Sequence, residues 1–393
     1  MKLKAEHLRH PFRTLAKARV KARTYFDVKS FPYRSRLRFR GDPRYQLQNI
    51  TRGFESRIDS SSDDRELLQR ICTAYIKAIE HQETAGETYR PTKWWQEQQT
   101  RLQPVMQALK NRDIPALRQM YSNFYRDPCS TGLVPMTGMP WAVPRGKFKD
   151  IHRHFHLAAS LCSIDYWKQR TSGRFAIADL AGTNIGNPFG IMLDGALIPL
   201  EAPYQHYCAY KLSTLLKPGP ASVVEIGGGF GGMAYFLLRD RQPLTYFDFD
   251  LPETIALASY FLMKAFPSLT FLLFGEEPMT PEAIARANVV LMPLLEIERM
   301  QPRSVDVAFS SYAISALPPK FMAHYLETIG NITQDCFLYI GAEFGAKALS
   351  EVGNQKGFMR MVESCVSGWN GQKSTNWNDV EALYRIAPRQ FAA

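Results

Sequence analysis

The ten residues from Val223 to Gly232, Val-Val-Glu-Ile-Gly-Gly-Gly-Phe-Gly-Gly, constrain this chain more than any other stretch. The apolar run 223–226 has the length and composition of a buried strand. A glycine-dense turn follows, and residues 233–238 open a helix. Strand, glycine turn and helix together bring backbone close to a nucleotide, because glycine bends sharply and leaves no Cβ between backbone and ligand. A second strand, 244–249, runs into Asp250-Leu251-Pro252. Asp250 stands 19 residues beyond Gly231, close to the spacing of about 20 at which such folds place a ribose-binding carboxylate. Residues 246, 248 and 250 share one strand face, and only the last clears the strand end. This alternation lends slight support to Asp250 over Asp248 as the ribose ligand.

The glycines alone leave the ligand open. Gly227, Gly229 and Gly232 satisfy G-x-G-x-x-G, a pattern shared with dinucleotide-binding domains. Glu225 separates the readings. A carboxylate at a strand end is costly to bury unpaired; a ligand carrying an ammonium group would give it a partner, whereas a pyrophosphate would be repelled. The resulting Glu-x-Gly-x-Gly-x-Gly resembles motif I of the class I S-adenosylmethionine (SAM) methyltransferases. The resemblance implies SAM as cofactor, with Glu225, Gly227, Gly228, Gly229 and Gly231 at the turn and Asp250 and Leu251 at the ribose. Met292, Leu294 and Ser310, at the ends of the next strands, complete the expected set.

Further segments resemble the sugar O-methyltransferases, a branch of that class: Asn123-Phe124-Tyr125-Arg126, Gly186-Asn187-Pro188 with Gly195, His206-Tyr207, Asp250-Leu251-Pro252, and Val305-Asp306-Val307 leading to Ser315. Together they cover about residues 60–350. Ser315-Ala316-Leu317 departs from the pattern, which expects an acid after the serine. The implied reaction moves a methyl group to a hydroxyl of a sugar or glycan. Such a hydroxyl is a poor nucleophile at neutral pH, so a general base is expected within hydrogen-bond reach. His206 is the first candidate and Glu343 the second. His324 sits beside the apolar face of Phe321, Met322, Tyr325 and Leu326 and reads as structural. His152, His154 and His156 invite a metal reading, but only His152 and His156 share a helix face and nothing completes a ligand set. No metal is expected.

The formal charge of +11 is unevenly spread. Residues 1–60 hold 16 Lys and Arg against 5 Asp and Glu, and the remainder holds 32 of each. The basic character thus belongs to one arm, expected to be separable and in part disordered, and suited to an anionic membrane, a polyanion or an organellar transit role. None of the six cysteines forms C-x-x-C. The first residues lack a secretory apolar core, and no run of about 18 apolar residues exists to span a membrane. A cytoplasmic protein, peripheral at the membrane through its arm, is the expected setting.

From residue 61 the periodicity turns helical, with Leu67, Leu68, Ile71, Cys72, Tyr75 and Ile79 at helical spacing. Further helices are predicted after Thr92, from Asp113 and over 148–169. Alternating strands and helices then follow, which implies a mostly parallel sheet covered on both faces. The predicted organisation is a basic arm (1–60), a mainly helical domain (61–200) and a Rossmann-like methyltransferase sheet domain (201–393), α/β in class. Three rival readings remain: an RNA or protein methyltransferase docked by the arm, a dinucleotide-dependent oxidoreductase, and a non-catalytic SAM-binding module.

Overall fold

The computed structural model describes residues 30–31, 33–59, 63–134, 149–366, 369 and 379–386. The first part is helical: α1 (Leu47–Gly53), α2 (Arg65–Thr84), α3 (Lys93–Asn111), α4 (Ile114–Tyr121) and α5 (Asp150–Arg170). Two of these start where the sequence places a cap. Thr92 accepts from the Trp95 N–H and Asp113 from the Ala116 N–H, which satisfies donors that a helix start otherwise leaves orphaned. A short antiparallel hairpin follows, β1 (Gly190–Leu193) with β2 (Ala196–Pro199), and then α6 (Ala202–Leu215).

The second part alternates. Its elements are β3 (Ala221–Ile226), α7 (Gly232–Asp240), β4 (Leu244–Asp250), α8 (Pro252–Ala265), β5 (Phe271–Leu273), α9 (Pro281–Arg286), β6 (Val289–Pro293), β7 (Val305–Ser310), α10 (Pro319–Ile332), β8 (Thr333–Ala342), α11 (Glu343–Gln355), β9 (Phe358–Cys365) and β10 (Asp379–Ile386). The sheet runs β5-β6-β4-β3-β7-β8-β10-β9. It is parallel from β5 to β8, and β10 pairs antiparallel with both β8 and β9. This is the mainly parallel α/β sheet the sequence implies. The chain leaves β3 toward β4 and β6, then crosses back to β7 on the other side. The order therefore reverses between β3 and β7, and open sheets of this kind bind ligands beyond the strand ends at such a point.

Strand alternation divides the sheet into two apolar faces. Val223, Tyr246, Leu291 and Phe309 face one core, with α6, α7, α8 and the N-terminal helices. Val224, Phe247, Val290 and Ala308 face the other, with α10 and α11. The helical part and the first face share one continuous core, so residue 200 is a boundary of composition rather than of packing. Among the described residues no helix is long and apolar enough to cross a membrane.

The boundary of the arm needs correction. Residues 33–38 are helical, and Phe31, Phe39 and Ile50 are buried in the first core. Arg57 donates its backbone N–H to Asn187 Oδ1 (2.7 Å), and Arg126 donates to the carbonyls of Phe54 (3.0 Å) and Glu55 (2.9 Å). The basic count concealed this because the arginines of 33–40 line the outside of a segment anchored by its apolar residues. Residues 1–29 lie outside the described residues. We predict that a chain beginning at residue 30 unfolds cooperatively, whereas one beginning at residue 63 does not. Ile50→Ala alone should cost about 2–5 kcal/mol, the range for emptying a buried aliphatic site, measured by denaturant unfolding.

Candidate functional site

The glycine turn leaves the end of β3 at the switch point. The ladder continues one residue past the strand, with Gly227 N–H donating to the Phe249 carbonyl (2.9 Å). Gly227, Gly229 and Gly231 all have positive φ. Gly229, at φ +63°, has nothing within 4 Å of where a Cβ would stand, so that position faces open space. Gly228 is closed instead: its Cβ would lie 2.5 Å from Asp248 Oδ2.

Beneath and beside the turn lies a row of acids. Glu225 pairs across the ladder with Asp248, and the pleat puts Glu225, Tyr246, Asp248 and Asp250 on one face. Gly228 N–H donates to Asp248 (3.0 Å), Gly229 N–H to Asp250 (3.1 Å), Leu251 N–H to Asp250 (2.7 Å), and Tyr246 OH to Glu225 (2.5 Å). Burial is the main cause that raises all three carboxyls above their usual range. Each charge further raises a neighbour: Asp250 acts on both Glu225 and Asp248. The bonds from Tyr246 and the turn amides oppose the rise without removing it. Asp248 is fully buried and its Oδ2 has no partner; Asp250 is partly exposed at the cleft. Asp248 thus supports the turn from below, and Asp250 is the acid presented outward.

The turn is also gripped from the helical side. Phe230, buried within it, has its ring 5.5 Å from Phe124, 5.5 Å from Tyr125 and 5.4 Å from Phe261. Tyr125 N–H donates to the Gly186 carbonyl (3.0 Å), and Asn187 Nδ2 to Asn123 Oδ1 (2.7 Å). The segments 123–126 and 186–188 therefore meet each other directly behind the turn. Neither contact was legible in local spacing.

Other predicted site residues separate. Leu251 caps α8 beside Asp250. Met292 is buried on the opposite sheet face, in the core with Phe249 and Ile226, so its side chain is core rather than cleft. Leu294 packs against both cores past the end of β6. Ser310 donates to the Ile226 carbonyl (2.8 Å) and accepts from the Ile314 N–H (3.3 Å), a strut between β3 and the segment after β7 rather than a free ligand. Glu343 is exposed at the first position of α11, at the carboxyl edge of β8.

His206 is corrected. Its ring lies among Trp167, Phe175 and Phe236, Trp167 donates to its Nδ1 (3.1 Å), and its Nε2 faces Asp240 at the far end of α7 from the glycine turn. Burial lowers its pKa to about 4. It is a neutral core histidine, as a polar residue on the inner side of α6 must be. Two neighbouring residues of that helix reach the segment after β7 and the start of α7. Tyr204 OH meets Ser311 Oγ (2.7 Å) and donates to the Ile340 carbonyl (3.1 Å), and the Gln205 amide stands 2.2 Å from where a Cβ on Gly232 would be. No group of acids, histidines and cysteines suited to a metal occurs among the described residues.

No family model and no curated protein matches the chain. Among solved structures it is similar to a mitomycin 7-O-methyltransferase at 13% identity, covering 47% of this chain and 55% of that one, with a TM-score of 0.33. It is similar to a TehB-like SAM-dependent methyltransferase from Corynebacterium glutamicum at 13% identity, over 58% of this chain and 99% of that one, TM-score 0.33. A geranyl diphosphate C-methyltransferase from Streptomyces coelicolor A3(2), in complex with S-adenosyl-L-homocysteine, gives 7% identity over 46% of this chain and 75% of that one, TM-score 0.33. The chain spans little more than half the length of the first. Overlap of this extent assigns neither a cofactor nor an acceptor.

The crowded acids generate a prediction. The Asp248 carboxyl is raised in the fold, so the folded chain holds a proton that the unfolded chain releases above about pH 4. Stability is then lost as pH rises beyond that point. Asp248→Asn removes the charge, so its melting temperature should exceed wild type by a margin of at least about 2 °C at pH 8. That margin should shrink as the pH is lowered toward 4. A margin independent of pH would show that charge crowding is not the cause.

Proposed function

We propose that this chain is a SAM-dependent methyltransferase acting on a hydroxyl, with a sugar or glycan as the acceptor class. One observation carries the cofactor reading: the glycine turn at the switch point is lined by Glu225 and Asp248, both buried, and by Asp250, partly exposed at the strand end. A dinucleotide would bring a pyrophosphate against three acids. A ligand with a ribose diol and a cationic end meets acceptors and negative charge instead. The residues present fit such a ligand, since Gly229 leaves space above the turn and Asp248 keeps a buried oxygen unpartnered.

Bound SAM supplies a methyl group on a sulfonium, transferable to an oxygen nucleophile. Asp250 accepts from the ribose hydroxyls, a role suited to its partly exposed carboxylate at the end of β4. Asp248 and Phe230 hold the turn rigid, so that donor and acceptor are aligned without further ordering; alignment alone supplies a large share of such an acceleration. Glu343, at the same edge of the sheet, is the candidate that takes the acceptor's proton. The sugar class is supported by the resemblance of segments 123–126 and 186–188, which pack together behind the turn. The exposed Arg34, Arg36, Arg38 and Arg40 support contact with an anionic membrane or polyanion.

Isothermal calorimetry tests the cofactor site. Asp250→Ala should weaken SAM binding roughly ten- to hundredfold, the loss expected for about 1.5–3 kcal/mol of hydrogen bonding to a charged group. Gly229→Val should do the same or more, because a branched side chain is strained at positive φ and projects into the cleft. Unchanged affinity in both would remove the site assignment. Glu343→Gln should leave SAM affinity intact while lowering methyl transfer to a panel of monosaccharides by about 10²–10⁴; normal turnover would place the base elsewhere.

A further inference from the structure

Four acids besides Asp248 stand near the glycine turn, and three of them have donors. Glu225 takes the Tyr246 hydroxyl, Asp250 the Gly229 and Leu251 amides, and Glu253 the Trp95 indole (2.7 Å) and the Gln99 amide (2.8 Å). Glu201 has none from another of the described residues. It precedes α6 but its side chain caps no helix N–H. Its Oε2 is sealed from solvent without a partner, and burial pushes the carboxyl up to about 7, opposed only by its own backbone N–H. Among the described residues no lysine, arginine or histidine pairs with it. A buried carboxylate left in this state costs free energy unless a cation arrives.

Its place in the fold says which cation. Gln205 lies one helical turn along α6 on the same side, and its amide presses on Gly232, the first residue of α7 after the glycine turn. Glu201 also lies within electrostatic reach of Tyr125, whose ring packs on Phe230 inside the turn. Glu201 therefore stands on the side of α6 from which Gln205 reaches the turn, whereas Glu225 lies under it and is engaged by Tyr246. We propose that Glu201, and not Glu225, receives the ammonium group at the amino-acid end of the cofactor. The assignment rests on the SAM reading above and names the residue that recognises that end. An ammonium presents three N–H donors, which is the complement of a carboxylate whose oxygen lacks a donor.

Two commercial ligands separate this role from a structural one. S-adenosylhomocysteine carries the ammonium; 5′-methylthioadenosine has the same nucleoside and thioether without the amino acid. In calorimetry, Glu201→Gln should weaken S-adenosylhomocysteine roughly ten- to hundredfold, as loss of a charge-assisted bond requires. Methylthioadenosine should stay within about threefold of wild type. Glu225→Gln should not change the ratio of the two affinities. Should Glu201→Gln fail to fold, Glu201→Asp keeps the charge at shorter reach, and a selective loss of S-adenosylhomocysteine binding is expected there too. Equal losses for both ligands, no loss for either, or a ratio that moves with Glu225 instead would overturn the assignment. If wild type binds neither ligand, the cofactor reading itself falls; if it binds both and only the ratio fails to move, the Glu201 assignment falls alone.

Discussion

Carboxyl groups crowded together beside a glycine turn are the constraint on which the rest of this structure depends. Glu225, Asp248 and Asp250 occupy one face of two adjacent strands, and their pleat and register leave them no way apart. Burial raises all three, and the turn amides and the Tyr246 hydroxyl compensate only in part. A fold that needed only stability would replace such a row with apolar residues, since unpaired buried charge is among the costliest features a core can carry. Such a row at a topological switch point supports the proposed ligand site. On that reading the ligand brings hydrogen-bond donors and positive charge.

The helical layer has a defined part in this. Phe230 is the single large side chain within the turn, and it is seated between Phe124, Tyr125 and Phe261. Phe124 and Tyr125 are themselves fixed by Gly186 and Asn187, and Asn187 in turn accepts from Arg57. A path of packed rings and hydrogen bonds thus connects Arg57 to the glycine turn. The N-terminal layer is a support for the site, and this explains why it shares one core with the sheet rather than standing as a separate unit.

The sheet and the turn were legible because their signals are local. Apolar runs, glycine spacing and the distance from Gly231 to Asp250 all lie within one strand-turn-helix-strand unit. That Asp250, unlike Asp248, comes out at the strand end was legible for the same reason, through the period of the pleat. What was not legible depends on distant partners. His206 titrates near neutrality in water, but its fate was decided by Trp167 and Phe175, which lie outside its own helix. Met292 and Ser310 stand at strand ends, where a sequence marks the position but not which face or carbonyl a side chain meets. The arginine count over residues 33–40 read as a loose arm because Phe31 and Phe39 could not be matched to their partners. Glu201 carried no local signal: a glutamate before a proline-started helix looks like an exposed first-turn acid.

Whether this turn takes SAM rather than a dinucleotide is tested most directly by a pair of thermal melts. A ligand present at about a thousand times its dissociation constant adds roughly 4 kcal/mol to the stability of the form that binds it. S-adenosylhomocysteine should therefore raise the melting temperature of the full chain by several degrees, and NAD at the same concentration should leave it unchanged. Stabilisation by NAD without stabilisation by S-adenosylhomocysteine would contradict the account.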